Sequence, residues 1–271
     1  MKVTKRSFFS TKAYLCNKKK IESMGEFISH IEYLKHDWNE EYLWYRGVSK
    51  ATHKLIPGIY RPDVWHYRPE LAEEMFFEFM RRAKAFVNRK YATWEWYHTM
   101  QHYGLPTRLL DWTEGSLTAL FFSVKDLRSV KVPTVWVIDP YHINELCVGD
   151  ASVFYTDPDV DLDEDERRIV NRYIEDHKKL PEYPLCILPP YIDDRIRVQR
   201  SCFTVHGKYK DGFYQMKRKF SEARIAKLSI DTKSAPNIRS ELASSGINEA
   251  TLFPDLEGIA REIKYEYIEN D

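Results

Sequence analysis

The chain has 271 residues, 43% of them hydrophobic and 30% charged, which is typical of a globular fold and excludes an intrinsically disordered chain. Because 41 basic side chains balance 41 acidic ones, no global charge indicates a nucleic-acid or membrane partner. Glycine is scarce, with 10 residues, and the sequence contains neither GxGxxG nor GxxxxGK[ST], which argues against a Rossmann or P-loop site.

The cysteines are isolated and form no CxxC pair: Cys16, Cys147, Cys186 and Cys202. This spacing argues against a zinc ribbon and against a disulfide framework, and it fits a reducing compartment. The N-terminus is basic but has no long apolar region, and no 18-residue apolar run occurs in the sequence. We therefore expect a soluble, cytoplasmic protein without a membrane partner.

The first half of the chain is predicted to be mostly helical. Apolar residues at three- and four-residue spacing predict helices over 21–39, from Pro69 through Val87, and over Thr93–Tyr103. A strand is predicted at 43–50, between the first two helices. Gly104 is expected to end the third helix. A helix is favoured after Thr113, with a strand over 117–124 as the alternative.

The second half is predicted to be richer in strands, at 132–139, 184–190, 202–207 and 223–231, followed by two closing helices. The closing helices are predicted from Pro236 to before Gly246, and from Asp255 to Tyr267. This order predicts an α+β fold with a mixed or antiparallel central sheet and flanking helices. We predict one domain over 21–271, after an N-terminal extension of residues 1–20.

The first candidate binding motif is Tyr45-Arg46-Gly47, on the predicted early strand. An arginine on a strand, followed by glycine, places a guanidinium where the backbone can approach a ligand closely. Such a guanidinium suits bidentate binding of a phosphate or a carboxylate. The alternative is a structural Arg46 paired with a carboxylate at a turn.

A second candidate is the run Arg108 to Thr113. Arg108 and Asp111 are three residues apart and could pair, and Trp112 offers a flat apolar face for a base or a nicotinamide ring. The alternative is a salt-bridged loop over a tryptophan core. Further along, Gln199 interrupts apolar residues ahead of a strand, and if buried it must be satisfied by the fold or by a ligand.

Two patterns that resemble metal sites are incomplete. His98 and His102 have ligand spacing on a helix, but no glutamate follows the first histidine and no third ligand clusters with them. We therefore expect His102 to make a hydrogen bond and predict no metal. The acidic stretch 157–166 resembles a calcium loop, but it has Leu162 where glycine is required and Arg168 where glutamate is required, so we interpret it as a solvated loop.

Four stretches together resemble the FRG-domain family. They are Tyr45-Arg46-Gly47, QHYGLPTRLLDWT from Gln101, RIRVQRSCFTV, in which Ser201 replaces the usual glycine, and GINEATLFPDLEGIAR over 246–261. The resemblance spans about residues 20 to 267. The family often occurs in prophage and mobile-element settings, which implies a role as a toxin or an anti-phage effector.

A strand-borne Tyr-Arg-Gly also resembles the first motif of arginine-type ADP-ribosyltransferases. That resemblance implies that Arg46 holds the diphosphate of NAD, that Trp112 stacks on the nicotinamide, and that Gln199 holds a ribose hydroxyl. Gln199 stands where many transferases have glutamate, so Asp111 is the candidate for the missing anion. The candidate catalytic residues are Arg46, Gln199 and Asp111, and the candidate binding residues are Tyr45, Gly47, His102, Arg108, Trp112, Thr113 and Ser123.

The leading hypothesis is therefore an ADP-ribosyltransferase-like protein that uses NAD or a related nucleotide and modifies a protein or nucleic-acid acceptor. The alternative is a non-catalytic module that recognises nucleic acid or a phage component through the basic residues of 208–219, interleaved with Phe213 and Tyr214. Those basic residues also fit a solvated hairpin face. A nuclease would need a carboxylate cluster around a metal, and 157–166 is the densest acidic run.

Overall fold

The computed structural model describes residues 19–49, 55–61, 69–87, 89–126, 132–175, 179–191 and 193–269. Seven strands lie within these ranges: β1 Trp44–Val48, β2 Leu109–Thr113, β3 Thr134–Ile138, β4 Phe154–Tyr155, β5 Leu185–Leu188, β6 Ser201–Val205 and β7 Ile225–Ser229. The predicted extension falls almost wholly outside the described residues, and the predicted boundary at residue 21 stays a prediction.

The α-helices of the described residues are mostly short. They are α1 Met24–Trp38, α2 Pro69–Ala83, α3 Thr93–His102, α4 Ser116–Val124, α5 Pro140–Val148, α6 Glu164–Asn171, α7 Asp194–Val198, α8 Gly212–Lys219, α9 Ala235–Ser244, α10 Glu249–Leu252 and α11 Leu256–Lys264. Short 3-10 helices occur at Gly58–Tyr60 and Lys84–Phe86, and a π-helical turn follows α11 at Tyr265–Glu269. None of the described helices combines the length and the apolar composition that crossing a bilayer requires.

The strands form a mixed sheet with the hydrogen-bonded order β4-β5-β6-β2-β1-β3-β7. The pair β4–β5 is parallel, whereas β5–β6, β1–β2, β1–β3 and β3–β7 are antiparallel. The predicted α+β fold, with a mixed sheet and flanking helices, is confirmed.

The chain divides into two compact units. Unit 1 comprises Met1–His53, Thr113–Asp139 and Arg224–Asp271, and unit 2 comprises Lys54–Trp112 and Pro140–Ala223. Each unit takes its residues from separate parts of the chain.

Helix α1 supplies much of the core of unit 1. Its N-terminus is capped by Ser23, whose hydroxyl accepts a hydrogen bond from the Glu26 amide at 3.1 Å. It ends at Asn39, which adopts a left-handed conformation with φ of 51°. Of the apolar residues at helical spacing, Phe27, Ile31 and Leu34 are buried along one face together with Trp38, whereas Ile28 is exposed. The sequence prediction for this helix is therefore confirmed.

Strand β1 packs closely against α4 in unit 1. A Cβ atom added to Gly47 would lie 1.8 Å from the carbonyl oxygen of Ala119, far inside van der Waals contact. Only glycine lets the helix backbone come this near to the strand. The favoured helix after Thr113 is confirmed, and the strand alternative over 117–124 is wrong.

Unit 2 is built on β5 and β6, with aromatic residues from α3 packed against them. Trp94 and Tyr97 of α3 join Phe203 of β6 in one buried cluster. Asn144 of α5 donates to the Cys186 carbonyl at 3.0 Å and accepts from the Cys186 amide at 2.7 Å. A buried amide with both groups satisfied in this way fixes α5 at one position along β5.

Three local predictions are wrong. Residues 109–113 form strand β2 instead of a loop, with four of the five residues buried and Asp111 exposed. The stretch 157–166 is only partly a loop, since Asp163 accepts from the Glu166 amide and caps α6. The basic stretch Gly212–Lys219 is helix α8, not a hairpin face, with Phe213 and Met216 buried at helical spacing.

We expect Gly47→Ala to destabilise the protein by about 3 kcal/mol or more, because the added methyl group overlaps the α4 backbone. The matched control is Gly25→Ala in α1, where nothing lies within 4 Å of the added atom. That control should be neutral or stabilising by about 0.5–1 kcal/mol. Urea denaturation monitored by circular dichroism measures both, and equal effects of the two substitutions would contradict this packing.

Candidate functional site

The residues predicted from the sequence to form a site lie in both units. Unit 1 contains Tyr45, Arg46, Gly47, Thr113 and Ser123, and unit 2 contains His102, Arg108, Asp111, Trp112 and Gln199.

In unit 1, four of the five predicted residues contribute to packing around α4. Tyr45 is buried in the core, and this burial raises the pKa of its phenol. Ser123 is fully buried, and its hydroxyl donates to the Leu120 carbonyl at 2.7 Å. The hydroxyl of Thr113 accepts a hydrogen bond from the Gly115 amide at 3.0 Å, just ahead of α4. Thr113 thus fixes the turn ahead of α4, whereas the Ser123 hydroxyl is satisfied within the helix.

Arg46 points to the opposite face of β1 from Tyr45 and Gly47, because side chains alternate along a strand. Directly across from it on β3 is Trp136, and across from Trp136 on β7 is Lys227. Residues paired in this way share a face of the sheet. We call these three residues the basic–aromatic row.

The basic–aromatic row keeps contact with solvent. All three of its residues are partly exposed, in strands whose other residues are mostly buried. The ammonium of Lys227 lies 5.4 Å from the centroid of the Trp136 indole. Because neighbouring strands are about 4.8 Å apart, the Cα atoms of Arg46 and Lys227 are separated by about 10 Å. A basic residue thus lies on each of the two strands beside Trp136.

Neither Trp136 nor Lys227 was predicted as a site residue from the sequence. A signal was present, since Lys227 lies on the alternating strand Ile225–Ser229 and Trp136 is the bulkiest residue of β3. The sequence does not reveal which strands are neighbours, however, so it could not align either residue with Arg46.

In unit 2, Arg108 and Trp112 are core residues. Arg108 is fully buried, and its guanidinium donates to the carbonyl oxygens of His206, at 3.2 Å, and of Tyr173. The indole of Trp112 is 3% exposed, and its Nε1 donates to Thr204 Oγ1 at 3.1 Å. Stacking of a nicotinamide on Trp112 would therefore require neighbouring core residues to move.

Residues at the start of the QHYGLPTR run connect α3 to the beginning of β2. The Thr107 hydroxyl donates to Gln101 Oε1 at 2.6 Å, and Gln101 Nε2 donates to Asp111 Oδ1 at 3.0 Å. The Leu109 amide donates to the Thr107 hydroxyl at 3.0 Å. Asp111 itself is exposed. This chain of hydrogen bonds makes the polar residues of the run part of the scaffold while leaving one carboxylate at the surface.

His102 and Gln199 are associated with opposite ends of α7. Nδ1 of His102 lies 3.1 Å from Oδ2 of Asp193, and Asp193 also caps α7 by accepting from the Ile196 amide at 2.8 Å. Gln199 is the C-terminal cap of the same helix and is partly exposed. At about 1.5 Å of rise per residue, the Cα atoms of Asp193 and Gln199 lie about 9 Å apart along the helix.

His98 is a buried neutral histidine. The Thr156 hydroxyl donates to the Leu188 carbonyl at 2.9 Å, so it accepts from His98 Nε2 at 2.8 Å, and Nε2 carries the proton. Burial lowers the pKa of His98 to about 3. Within the described ranges, no group of three or more histidine, cysteine, aspartate and glutamate side chains is arranged to hold a metal ion.

The pKa of His98 predicts a loss of stability in acid. Below the ordinary histidine value of about 6.5, the unfolded chain binds a proton that the folded chain does not. The contribution of neutral His98 to the free energy of unfolding should therefore fall by about 1.4 kcal/mol per pH unit from pH 6 downward. The fall should level off near the folded pKa of about 3.

Urea denaturation between pH 7 and pH 4 measures this slope in wild type and in His98→Gln, which should lose the contribution. His36→Gln, at an exposed position on α1, is the control and should keep the wild-type slope. An unchanged slope in His98→Gln would refute the buried neutral state.

Comparison with known families gives one match. Residues 41–131, about a third of the chain, match the family model of the FRG domain. The matched region contains β1, α2, α3, β2 and α4. Comparisons with curated proteins and with solved structures give no match.

Proposed function

We propose that this chain, which carries an FRG domain over residues 41–131, binds NAD or a related nucleotide on the basic–aromatic row and acts on it as an ADP-ribosyltransferase. The supporting observation is the alignment of Arg46, Trp136 and Lys227 on one face of three neighbouring strands. The resemblance of Tyr45-Arg46-Gly47 to the first transferase motif also supports it.

The chemistry of the row suits a phosphate-bearing nucleotide. A guanidinium binds phosphate oxygens in a bidentate manner, and an ammonium binds them as a point charge. An indole between two cations offers a flat surface for a base. Since the three residues lie on adjacent strands, the sheet fixes the positions of their Cα atoms before a ligand arrives, which reduces the entropy lost on binding.

The proposed reaction makes limited demands on the protein. The bond between ribose and nicotinamide breaks, its electron pair leaves with the nicotinamide, and the positive charge moves to the ribose. An acceptor hydroxyl, amine or carboxylate then bonds to the ribose carbon that carried the nicotinamide. An acceptor hydroxyl or amine releases its proton to solvent. Orientation and charge placement therefore matter more than a strong nucleophile. Gln199 and Asp111, both in unit 2, stay predictions from the resemblance to transferases, and Gln199→Ala and Asp111→Asn test them.

We expect Arg46→Ala to weaken NAD binding about 10- to 100-fold, because a hydrogen bond to a charged group contributes about 1.5–3 kcal/mol. Lys227→Ala should have a smaller effect in the same direction. Lys233→Ala, which removes an exposed lysine away from the row, is the control and should bind like wild type. Titration calorimetry measures affinity, and chromatography measures nicotinamide release.

If wild type, Arg46→Ala and Lys233→Ala bind NAD equally, or if none of them binds it, the proposal is wrong. Affinity for nucleic acid that falls steeply with salt, without NAD affinity, would instead support the non-catalytic module. NAD binding without nicotinamide release in the presence of candidate acceptors would reduce the proposal to a nucleotide-binding role.

The proposed role as a toxin or an anti-phage effector rests on the family resemblance and is tested in cells. Induced expression of the wild type should slow growth and lower cellular NAD. Arg46→Ala should relieve both effects at equal protein level, whereas Lys233→Ala should not. Growth inhibition that persists in Arg46→Ala would separate toxicity from the proposed chemistry.

A further inference from the structure

Unit 2 contains a cleft of about 550 Å³ that none of the predicted site residues lines. Its walls are α2, the first turn of α3, the segment that follows β4, and α6. A volume of this size falls within the range typical of sites for small ligands or single side chains. We call it the α2–α6 cleft.

Aromatic side chains line the α2–α6 cleft. Phe76 and Trp94 contribute rings from α2 and α3, and each is packed against Tyr97. Phe77 and Tyr155 also line the cleft and remain 58% and 47% exposed. These two open rings lie at the same concave site, where a ligand with an apolar body could cover both.

The charge at the α2–α6 cleft is negative. Glu73, Asp157 and Glu175 line it, against one basic lining residue, Arg167, whose guanidinium donates to the Leu162 carbonyl at 3.2 Å. Across the part of the chain that the structure describes, the carboxylates of Glu73 and Glu175 form no ion pair.

The acidic stretch 157–166 adds to this negative potential. It carries seven aspartate and glutamate residues and no basic residue. Its first residue, Asp157, lines the cleft, and its last residues begin α6, which forms one wall. The stretch that resembled an incomplete calcium loop is thus adjacent to the cleft, where clustered charges of one sign raise the local concentration of the opposite sign.

We propose that the α2–α6 cleft binds an organic cation, an ammonium or guanidinium group carried on an apolar body. Open aromatic faces attract such a cation through their ring quadrupoles, and apolar atoms of the ligand gain by covering the rings. The carboxylates of Glu73 and Glu175 supply the complementary charge. A phosphate-bearing nucleotide is disfavoured here by the same charges, so this site is independent of the basic–aromatic row.

The same chemistry could come from a small amine or from a basic side chain of a peptide. Titration calorimetry with agmatine and with the capped peptide Gly-Arg-Gly distinguishes these two sources. The capped peptide Gly-citrulline-Gly has nearly the same shape without the charge and serves as the ligand control. We expect saturable binding of at least one cationic probe, weakened by added salt, and at least five-fold weaker binding of the citrulline peptide.

On the protein side, the double variant Glu73→Gln/Glu175→Gln should weaken binding of the cationic probe about 3- to 30-fold, as expected for two partly exposed ion pairs. Tyr155→Ala should also weaken it, since an open ring wall is removed. Glu70→Gln is the matched control, because Glu70 is exposed on the same helix but does not line the cleft. It should bind within about two-fold of wild type, allowing for its longer-range charge.

Binding of agmatine as tight as that of the peptide would identify a small-amine site, and peptide binding alone would identify a basic segment of a macromolecule. Both outcomes support the proposal. It is overturned if citrulline binds as well as arginine, if Glu70→Gln weakens binding as much as the double variant, or if neither cationic probe binds at millimolar concentration. Loss of NAD binding in the Arg46 variant would leave these results unchanged.

Discussion

The contact between the backbone of α4 and Gly47 is the constraint on which the candidate nucleotide site depends. The helix lies so near to β1 that no side chain fits at this position. Because strand side chains alternate, this contact fixes the orientation of β1, placing Tyr45 in the core and Arg46 on the other face. The glycine of Tyr-Arg-Gly is therefore explained by packing, while Arg46 shares the opposite, partly exposed face with Trp136 and Lys227.

The buried polar residues of the QHYGLPTRLLDWT run make hydrogen bonds within the fold. Arg108 and Trp112 are buried, but their donors reach carbonyl and hydroxyl oxygens within unit 2. A buried polar group costs little free energy when it is satisfied, and removing its partner costs about 1–3 kcal/mol. A motif rich in polar residues therefore indicates that these residues need specific hydrogen-bond partners. The fold itself can supply those partners, without a ligand.

Two concentrations of opposite charge are consistent with a net charge of zero. The basic–aromatic row places cations beside an indole, and the α2–α6 cleft places carboxylates beside open rings. The ligands that we propose for them differ accordingly: a phosphate-bearing nucleotide for the row and an organic cation for the cleft. Total charge describes the chain as a whole, whereas recognition depends on where the fold gathers charges of one sign.

The sequence by itself determined the elements whose signal is local. Apolar patterns predicted α1, α3 and the strands β3, β5, β6 and β7, and two short motifs indicated the FRG model that residues 41–131 match, since neither needs knowledge of distant contacts. Tertiary structure decided whether Arg108 and Trp112 were ligand-binding or core residues, because burial depends on segments such as β6 that are remote in the chain. It also decided that β3 and β7 follow β1 in the sheet, which aligns Trp136 and Lys227 with Arg46. Strand order is set by packing across the whole sheet, so no local pattern in the sequence predicts it.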